Sequence, residues 1–339
     1  MTGIIDSCGR SINYLRISVT DRCNLRCIYC MPPEGIPQTP HSEILSYKEI
    51  RAVVQAAAEL GINKVRLTGG EPLVRAELPK LIQMLFQVEG IEELSLTTNG
   101  TVLKKYALKF KQAGLSRVNI SLDTFNPDKF RYITRLGELE RVLEGIEAAK
   151  EAGFDPIKIN TVVMRGINDD EILDFARMTY EGWHVRFIEL MPFKGVTEFV
   201  PSIELRQQIS LLGKLEPCPP DSIGGSTGIT GNGPATYYRL VGARGTIGFI
   251  SPLTETSFCS RCNRMRLTPD GKLRPCLLGE EEIDLKMLLR SDPAGASMDE
   301  LKRLILKAVA SKTEHHHLKG GPDGIGARLV NRKMSQIGG

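Results

Sequence analysis

Six of the eight cysteines in this 339-residue chain fall into two sets of three. Cys23, Cys27 and Cys30 stand at C-x3-C-x2-C in "TDRCNLRCIYC", and Cys259, Cys262 and Cys276 at C-x2-C-x13-C in "CSRCNRMRLTPDGKLRPC". A closed structural zinc site takes four ligands, and a 4Fe-4S cluster is usually held by four thiolates. Three thiolates leave one iron open, able to chelate a small molecule and pass it an electron. On spacing alone, zinc sites completed by distant ligands stay open as alternatives. Against a zinc ribbon at the second set, neither Cys218 nor His315 to His317 falls at a ribbon-like distance. Cys8 and Cys218 have no sequence partners and read as incidental small apolar residues. Three consecutive histidines on a helix point in different directions, so His315-His316-His317 reads as solvated or packed surface.

The elements that must position these groups follow a repeat of roughly 25 to 40 residues, a β-branched run and then an amphipathic helix. The runs are "YLRISV" (14–19), "KVRLTG" (64–69), "LSLTTN" (94–99), "RVNISLD" (117–123), "IKINTVVM" (157–164) and "VRFIEL" (185–190). "SYKE" (46–49) offers a capping box to a helix that stops at Gly61, and "LERVLEGIEAAKEAG" presents Leu139, Val142, Leu143 and Ile146 before stopping at Gly153. "NDDE" (168–171) supplies acidic residues to the next helix start. Strands alternating with helices predict parallel pairing with right-handed crossovers. Six are fewer than the eight of a complete barrel, so a partial, open α/β barrel is expected, with chemistry at the strands' carboxyl ends. The first cysteine set follows the first strand.

Beyond about residue 192 the pattern changes. A helix-like "SIELRQQISLLG" leads into the Gly-, Pro- and Ser-rich "PCPPDSIGGSTGITGNGPA", then "TYYRLV", "TIGFIS", the second cysteine set, helices near 284–290 and 298–310, and a Gly-Gly end. This predicts a barrel over residues 1–220 and a smaller region over 221–339 that closes one of its ends.

Composition sets the class. The chain is 41% hydrophobic and 25% charged, as an ordinary globular enzyme is, and its net charge of +4 is too small and dispersed for a nucleic-acid surface. It suits an anionic small substrate. With no leader-like segment and no apolar stretch of about 18 residues, a cytoplasmic location without membrane contact is expected. In that reducing compartment cysteines are ligands before they are disulfides.

The first set, with Tyr29 before its last cysteine, resembles the cluster motif of the radical S-adenosylmethionine superfamily, and "TGGEP" (68–72) after the second strand resembles its glycine-rich segment. From "YLRISVTDRCNLRCIYCMP" through "LTGGEPLVR", "SLTTNG", "NISLDT", "RFIELMP" and "FCSRCNRMRLTPDGKLRPCL" to Gly338-Gly339, the chain resembles the molybdenum cofactor biosynthesis protein A family, the GTP 3′,8-cyclases.

The resemblance implies two 4Fe-4S clusters. The first would hold S-adenosylmethionine and reduce it to methionine and a 5′-deoxyadenosyl radical. That radical takes the 3′-hydrogen of GTP, and ring closure gives (8S)-3′,8-cyclo-7,8-dihydroguanosine 5′-triphosphate. The second cluster would bind guanine. Carried over position by position, the GTP contacts are Arg16, Arg66, Thr97, Lys158, Arg186, Arg264, Met265 and Arg266. The S-adenosylmethionine contacts are Tyr29, Gly70, Ser121 and Met191, and Gly338 and Gly339 reach into the active site. A flavodoxin- or ferredoxin-like electron donor, handover of product to cyclic pyranopterin monophosphate synthase and a homodimer are also implied. Two rivals are a radical S-adenosylmethionine maturase that modifies peptides with an auxiliary cluster, and a non-enzymatic zinc-binding module. The first usually carries more C-terminal cysteines, and the second has no use for two incomplete ligand sets.

Overall fold

Six consecutive strands coincide with the six runs: β1 (Tyr14–Ser18), β2 (Lys64–Thr68), β3 (Glu93–Thr98), β4 (Arg117–Ser121), β5 (Lys158–Val163) and β6 (His184–Glu189). The protein is seen in a computed structural model that describes residues 3–191, 199–218, 233, 235–291, 297–316 and 332–338. The strands pair in parallel in chain order. Between them run α1 (Tyr47–Glu59), α2 (Leu78–Phe86), α3 (Ala107–Gln112), α4 (Pro127–Thr134), α5 (Leu139–Glu151) and α6 (Ile172–Arg177).

Local chemistry sets the helix ends. Ser46 and Glu49 form the expected capping box on α1, and Gly61, at φ 99°, closes it. There the Ile62 N–H reaches Ala57 O at 3.0 Å and the Gly61 N–H reaches Ala58 O at 2.9 Å, satisfying carbonyls that the helix leaves unpaired. In α5, Leu139, Val142 and Ile146 are buried, but Leu143 is exposed. Gly145 takes its place on the packed face, because a Cβ there would stand 2.4 Å from Gly100 O.

The C-terminal region departs from the expectation that it closes one end. After β7 (Leu215–Pro217) and β8 (Thr236–Leu240), β9 (Thr246–Ile250) pairs in parallel with β6. At the opposite edge β10 (Arg264–Leu267) pairs in parallel with β1, followed by β11 (Lys272–Arg274) and β12 (Ile283–Asp284). Among the described residues the result is one open sheet of twelve strands in the order β12-β11-β10-β1-β2-β3-β4-β5-β6-β9-β8-β7. The region therefore extends both edges of the barrel wall.

Alternation along the strands divides the wall. Leu15, Ile17, Val65, Leu67, Leu94, Leu96, Val118, Ile120, Ile159, Val185, Phe187, Ile247, Phe249, Met265 and Leu267 join one hydrophobic core with the helices. Tyr14, Arg16, Arg66, Thr97, Ser121, Asn160, Arg186, Arg264 and Arg266 line a cavity on the other face. Residues from β10 and from each of β1 to β6 lining one cavity means that the sheet curls around it.

The buried carboxylate of Glu189, at the end of β6, ties the two regions together. It accepts the N–H groups of Ser202 at 3.0 Å, Leu253 at 3.1 Å and Thr254 at 3.3 Å, fixing the segment that leads to Cys259.

Candidate active site

The cavity, of about 270 Å³, opens at the carboxyl ends of the strands. The first cysteine loop leaves β1 there and is held by the glycine-rich turn after β2. The Gly70 N–H donates to Thr20 O and the Glu71 N–H to Arg22 O, both at 2.8 Å. A Cβ on Gly69 would lie 2.7 Å from Thr20 O, and one on Gly70 2.5 Å from Arg22 O. These glycines are required because backbone meets backbone. On the far side, Arg135 donates to Arg26 O at 2.7 Å and Met31 O at 2.9 Å, and the Tyr29 hydroxyl donates to Asp123 Oδ2 at 2.7 Å.

The three thiols point into this cavity and feel one another's charge. Burial, then the Glu71 carboxylate, pushes Cys23 up to about 12; burial pushes Cys30 up to about 11 and Cys27 well above the ordinary thiol range. Three thiols so reluctant to ionise alone fit a cationic metal group that deprotonates them on binding. Among the described residues no three His, Cys, Asp or Glu side chains converge on a point for a single ion.

The second triad flanks the β10–β11 pair and is reached from the cavity through Arg264 and Arg266, without itself lining it. Although burial opposes it, Arg264 and Lys312 hold the Cys262 thiol down to about 6, while burial raises that of Cys259. Lys312 Nζ donates to Arg264 O at 3.0 Å, and Arg10 Nη1 donates to Cys259 O at 3.0 Å. The histidine run divides. His315 is exposed, His316 is half-buried with Nε2 2.7 Å from Pro252 O, and His317 lies outside the described residues. Cys8 and Cys218 are free thiols, and Cys8 Sγ lies 3.9 Å from Lys312 O.

Thr97, Ser121, Tyr29, Gly70 and Met191 line the cavity together with Arg16, Arg66, Arg186, Arg264 and Arg266. Burial, then neighbouring cations, brings Arg16 down to about 9 and lowers Lys158 and Arg266 well below their ordinary values. Arg186 Nε and Nη2 are buried with no hydrogen-bond partner among the described residues. Such a concentration of buried positive charge calls for a multiply charged anion. Lys158 is buried beneath the cavity, its ammonium 5.4 Å from the centroid of the Tyr237 ring. Met265 is not brought to the cavity: its neighbours Arg264 and Arg266 point inward, so its side chain lies in the core behind the sheet.

The tail returns to the strand ends. In α7 (Met334–Ile337), Met334 and Ser335 line the cavity, and the Ser335 N–H faces the Cys30 thiol. Arg266 Nη1 donates to Gly338 O. Gly338 has φ 79°, and a Cβ on it would stand 2.3 Å from Thr68 Oγ1. Gly339 lies outside the described residues.

Reading the sequence missed the cavity residues Tyr14, Glu71, Asn160 and Tyr237. Strand parity was the available signal for Tyr14 and Asn160, two residues from Arg16 and Lys158. Glu71 lies inside the quoted "TGGEP", where it accepts from Thr98 Oγ1, the Asn99 N–H and the Leu73 N–H at 2.7, 2.7 and 3.0 Å.

Comparison with known proteins is consistent with this geometry. The family model described as "Radical SAM superfamily" matches residues 17–179, and "Molybdenum Cofactor Synthesis C" matches residues 183–318. The GTP 3′,8-cyclase of Moorella thermoacetica is 50% identical over 339 residues, covering 98% of this chain and 99% of that protein. That of Desulforamulus reducens is 50% identical over 346 residues, covering 99% and 100%. Among solved structures, Streptococcus suis SuiB bound to S-adenosylmethionine aligns with a TM-score of 0.58 at 15% identity, over 80% of this chain and 63% of that one, a likeness of fold.

Proposed function

The chain belongs to the GTP 3′,8-cyclases of the radical SAM superfamily, and we infer from this that it converts GTP to (8S)-3′,8-cyclo-7,8-dihydroguanosine 5′-triphosphate in molybdenum cofactor biosynthesis. The observation that carries the reading is one cavity reached by the first cysteine triad and by a buried arginine array that continues to the second triad. When bound, the two 4Fe-4S clusters and S-adenosylmethionine supply the electron and the hydrogen-abstracting chemistry. Cys23, Cys27 and Cys30 would hold one cluster, and Cys259, Cys262 and Cys276 the other.

The protein's own part is binding and orientation. Tyr29, Gly70, Ser121 and Met191 line the S-adenosylmethionine side. Arg16, Arg66, Lys158 and Arg186 neutralise the triphosphate, with Thr97 as a neutral donor, and forked guanidinium groups fix its orientation. Arg264 and Arg266 bridge from phosphate to the second triad, and any contact from Met265 comes through its backbone. Gly338 closes the cavity where a larger residue could not fit, and Gly339 is assigned to the active site with it.

Residues 1–220 serve in this reading as the barrel and 221–339 as the region bearing the second cluster. An external flavodoxin- or ferredoxin-like donor, transfer of product to cyclic pyranopterin monophosphate synthase, a homodimer and a cytoplasmic location complete the proposal. Among the described residues no helix is long and apolar enough to cross a membrane. The peptide-maturase reading is disfavoured by the full-length relatives. Anaerobic incubation of the reconstituted enzyme with GTP, S-adenosylmethionine and a reductant tests the proposal. Cyclised GTP and 5′-deoxyadenosine should appear together, and deoxyadenosine without a GTP-derived product would refute it.

A further inference from the structure

Two tyrosine hydroxyls at the cavity wall have no part in the chemistry above. Tyr14 and Tyr237 line the cavity, are only 2% and 6% exposed, and neither hydroxyl has a hydrogen-bond partner among the described residues. An unpaired buried hydroxyl is destabilising, so two such hydroxyls on residues that line one cavity call for a ligand. Their rings are well placed. The Arg66 guanidinium lies 5.5 Å from the centroid of the Tyr14 ring, and the Lys158 ammonium 5.4 Å from that of Tyr237. Gly248, opposite Tyr237 in the β8–β9 ladder, makes room for it, since a Cβ there would stand 2.9 Å from Tyr237 Cε1 and 2.8 Å from Arg186 Cγ. Each tyrosine is thus packed against a cation of the phosphate cradle, with its hydroxyl left unpaired.

We propose that Tyr14 and Tyr237 are further substrate-binding residues whose hydroxyls donate hydrogen bonds to phosphate oxygens of the triphosphate, beside Arg66 and Lys158. This rests on the reading of the cavity as a GTP site. Neutral donors suit the position for a physical reason. The buried cations already repel one another, and a further charge would add to that repulsion in the empty cavity. An O–H supplies a donor without charge, and a ring with only two side-chain torsions holds it at a fixed point.

The test is GTP binding to the anaerobically reconstituted enzyme carrying Tyr14→Phe or Tyr237→Phe, with guanosine as the phosphate-free control. Phenylalanine keeps the ring and its cation contact and removes only the hydroxyl. Each variant should bind GTP roughly tenfold or more weakly, bind guanosine as the wild type does, and melt without GTP no lower than the wild type. A twofold or smaller change in GTP affinity in both variants, or an equal loss for guanosine, would overturn the inference while leaving the GTP site standing. If the wild type itself fails to bind GTP, the reading of the cavity falls and this inference with it.

Discussion

The Tyr29 hydroxyl, one residue before the last cysteine of the first triad, donates to Asp123 Oδ2 at 2.7 Å, and Asp123 Oδ1 accepts the Val162 N–H at 2.8 Å. One buried carboxylate thus ties the cysteine loop to the ends of two strands. Asp123→Ala leaves two buried donors unpaired, at about 1–3 kcal/mol each. It should lower 5′-deoxyadenosine formation by about tenfold or more, whereas Tyr29→Phe, losing one bond, should do less. Wild-type deoxyadenosine formation in Asp123→Ala would show that the anchor is dispensable.

Arg332 latches the tail. Its guanidinium donates to Asp270 at 2.9 and 3.1 Å and to Glu282 at 2.6 and 2.8 Å, just ahead of the helix that carries Gly338 to the strand ends. Arg332→Ala should release the tail to proteolysis and reduce cyclised product per deoxyadenosine formed, while both clusters assemble normally. An unchanged ratio with a protected tail would mean that the Arg266 contact suffices alone.

At Gly338 both backbone and space exclude a side chain. Gly338→Ala should therefore suppress cyclisation nearly as fully as removal of Gly338 and Gly339, with the melting temperature little altered. Full activity in either variant would return the tail to a passive role.

His184 makes one contribution to the pH dependence of stability. Its Nδ1 lies 2.9 Å from Thr246 Oγ1, and burial, then Lys158, Arg239 and Arg186, brings its pKa from 6.5 down to about 4. The unfolded chain therefore binds a proton that the folded chain refuses, so stability is complete above about pH 6.5 and falls as pH drops toward 4. The contribution is on the order of 3 kcal/mol. Unfolding measured between pH 7.5 and 5 should be less pH-dependent in His184→Asn, and identical slopes would contradict the assignment.

The alternation of β-branched residues exposed β1 to β6 almost to the residue, because each run carries its own periodicity. Nothing local could announce that β10 lies beside β1 or β9 beside β6. Those pairings are fixed by fit across the chain, and short strands have no periodicity that names a partner. Spacing or family motif marked the six cysteines and the arginines, and of these the first triad and Arg16, Arg66, Arg186, Arg264 and Arg266 line the cavity. Met265 does not line the cavity, because the parity of Arg264 and Arg266 turns its side chain into the core. Tyr237 was hidden in the doublet "YY" of a strand whose register the sequence does not reveal.

The central claim is that both incomplete cysteine triads serve one cavity and one substrate. It is tested most directly by spectroscopy of the reduced second cluster with nitrogen-labelled GTP. The account predicts magnetic coupling between guanine nitrogen and that cluster, lost in Cys276→Ala and weakened with GTP affinity in Arg266→Ala, while S-adenosylmethionine cleavage at the first cluster persists. Wild-type enzyme that shows no coupling and binds GTP no better than ATP would contradict it.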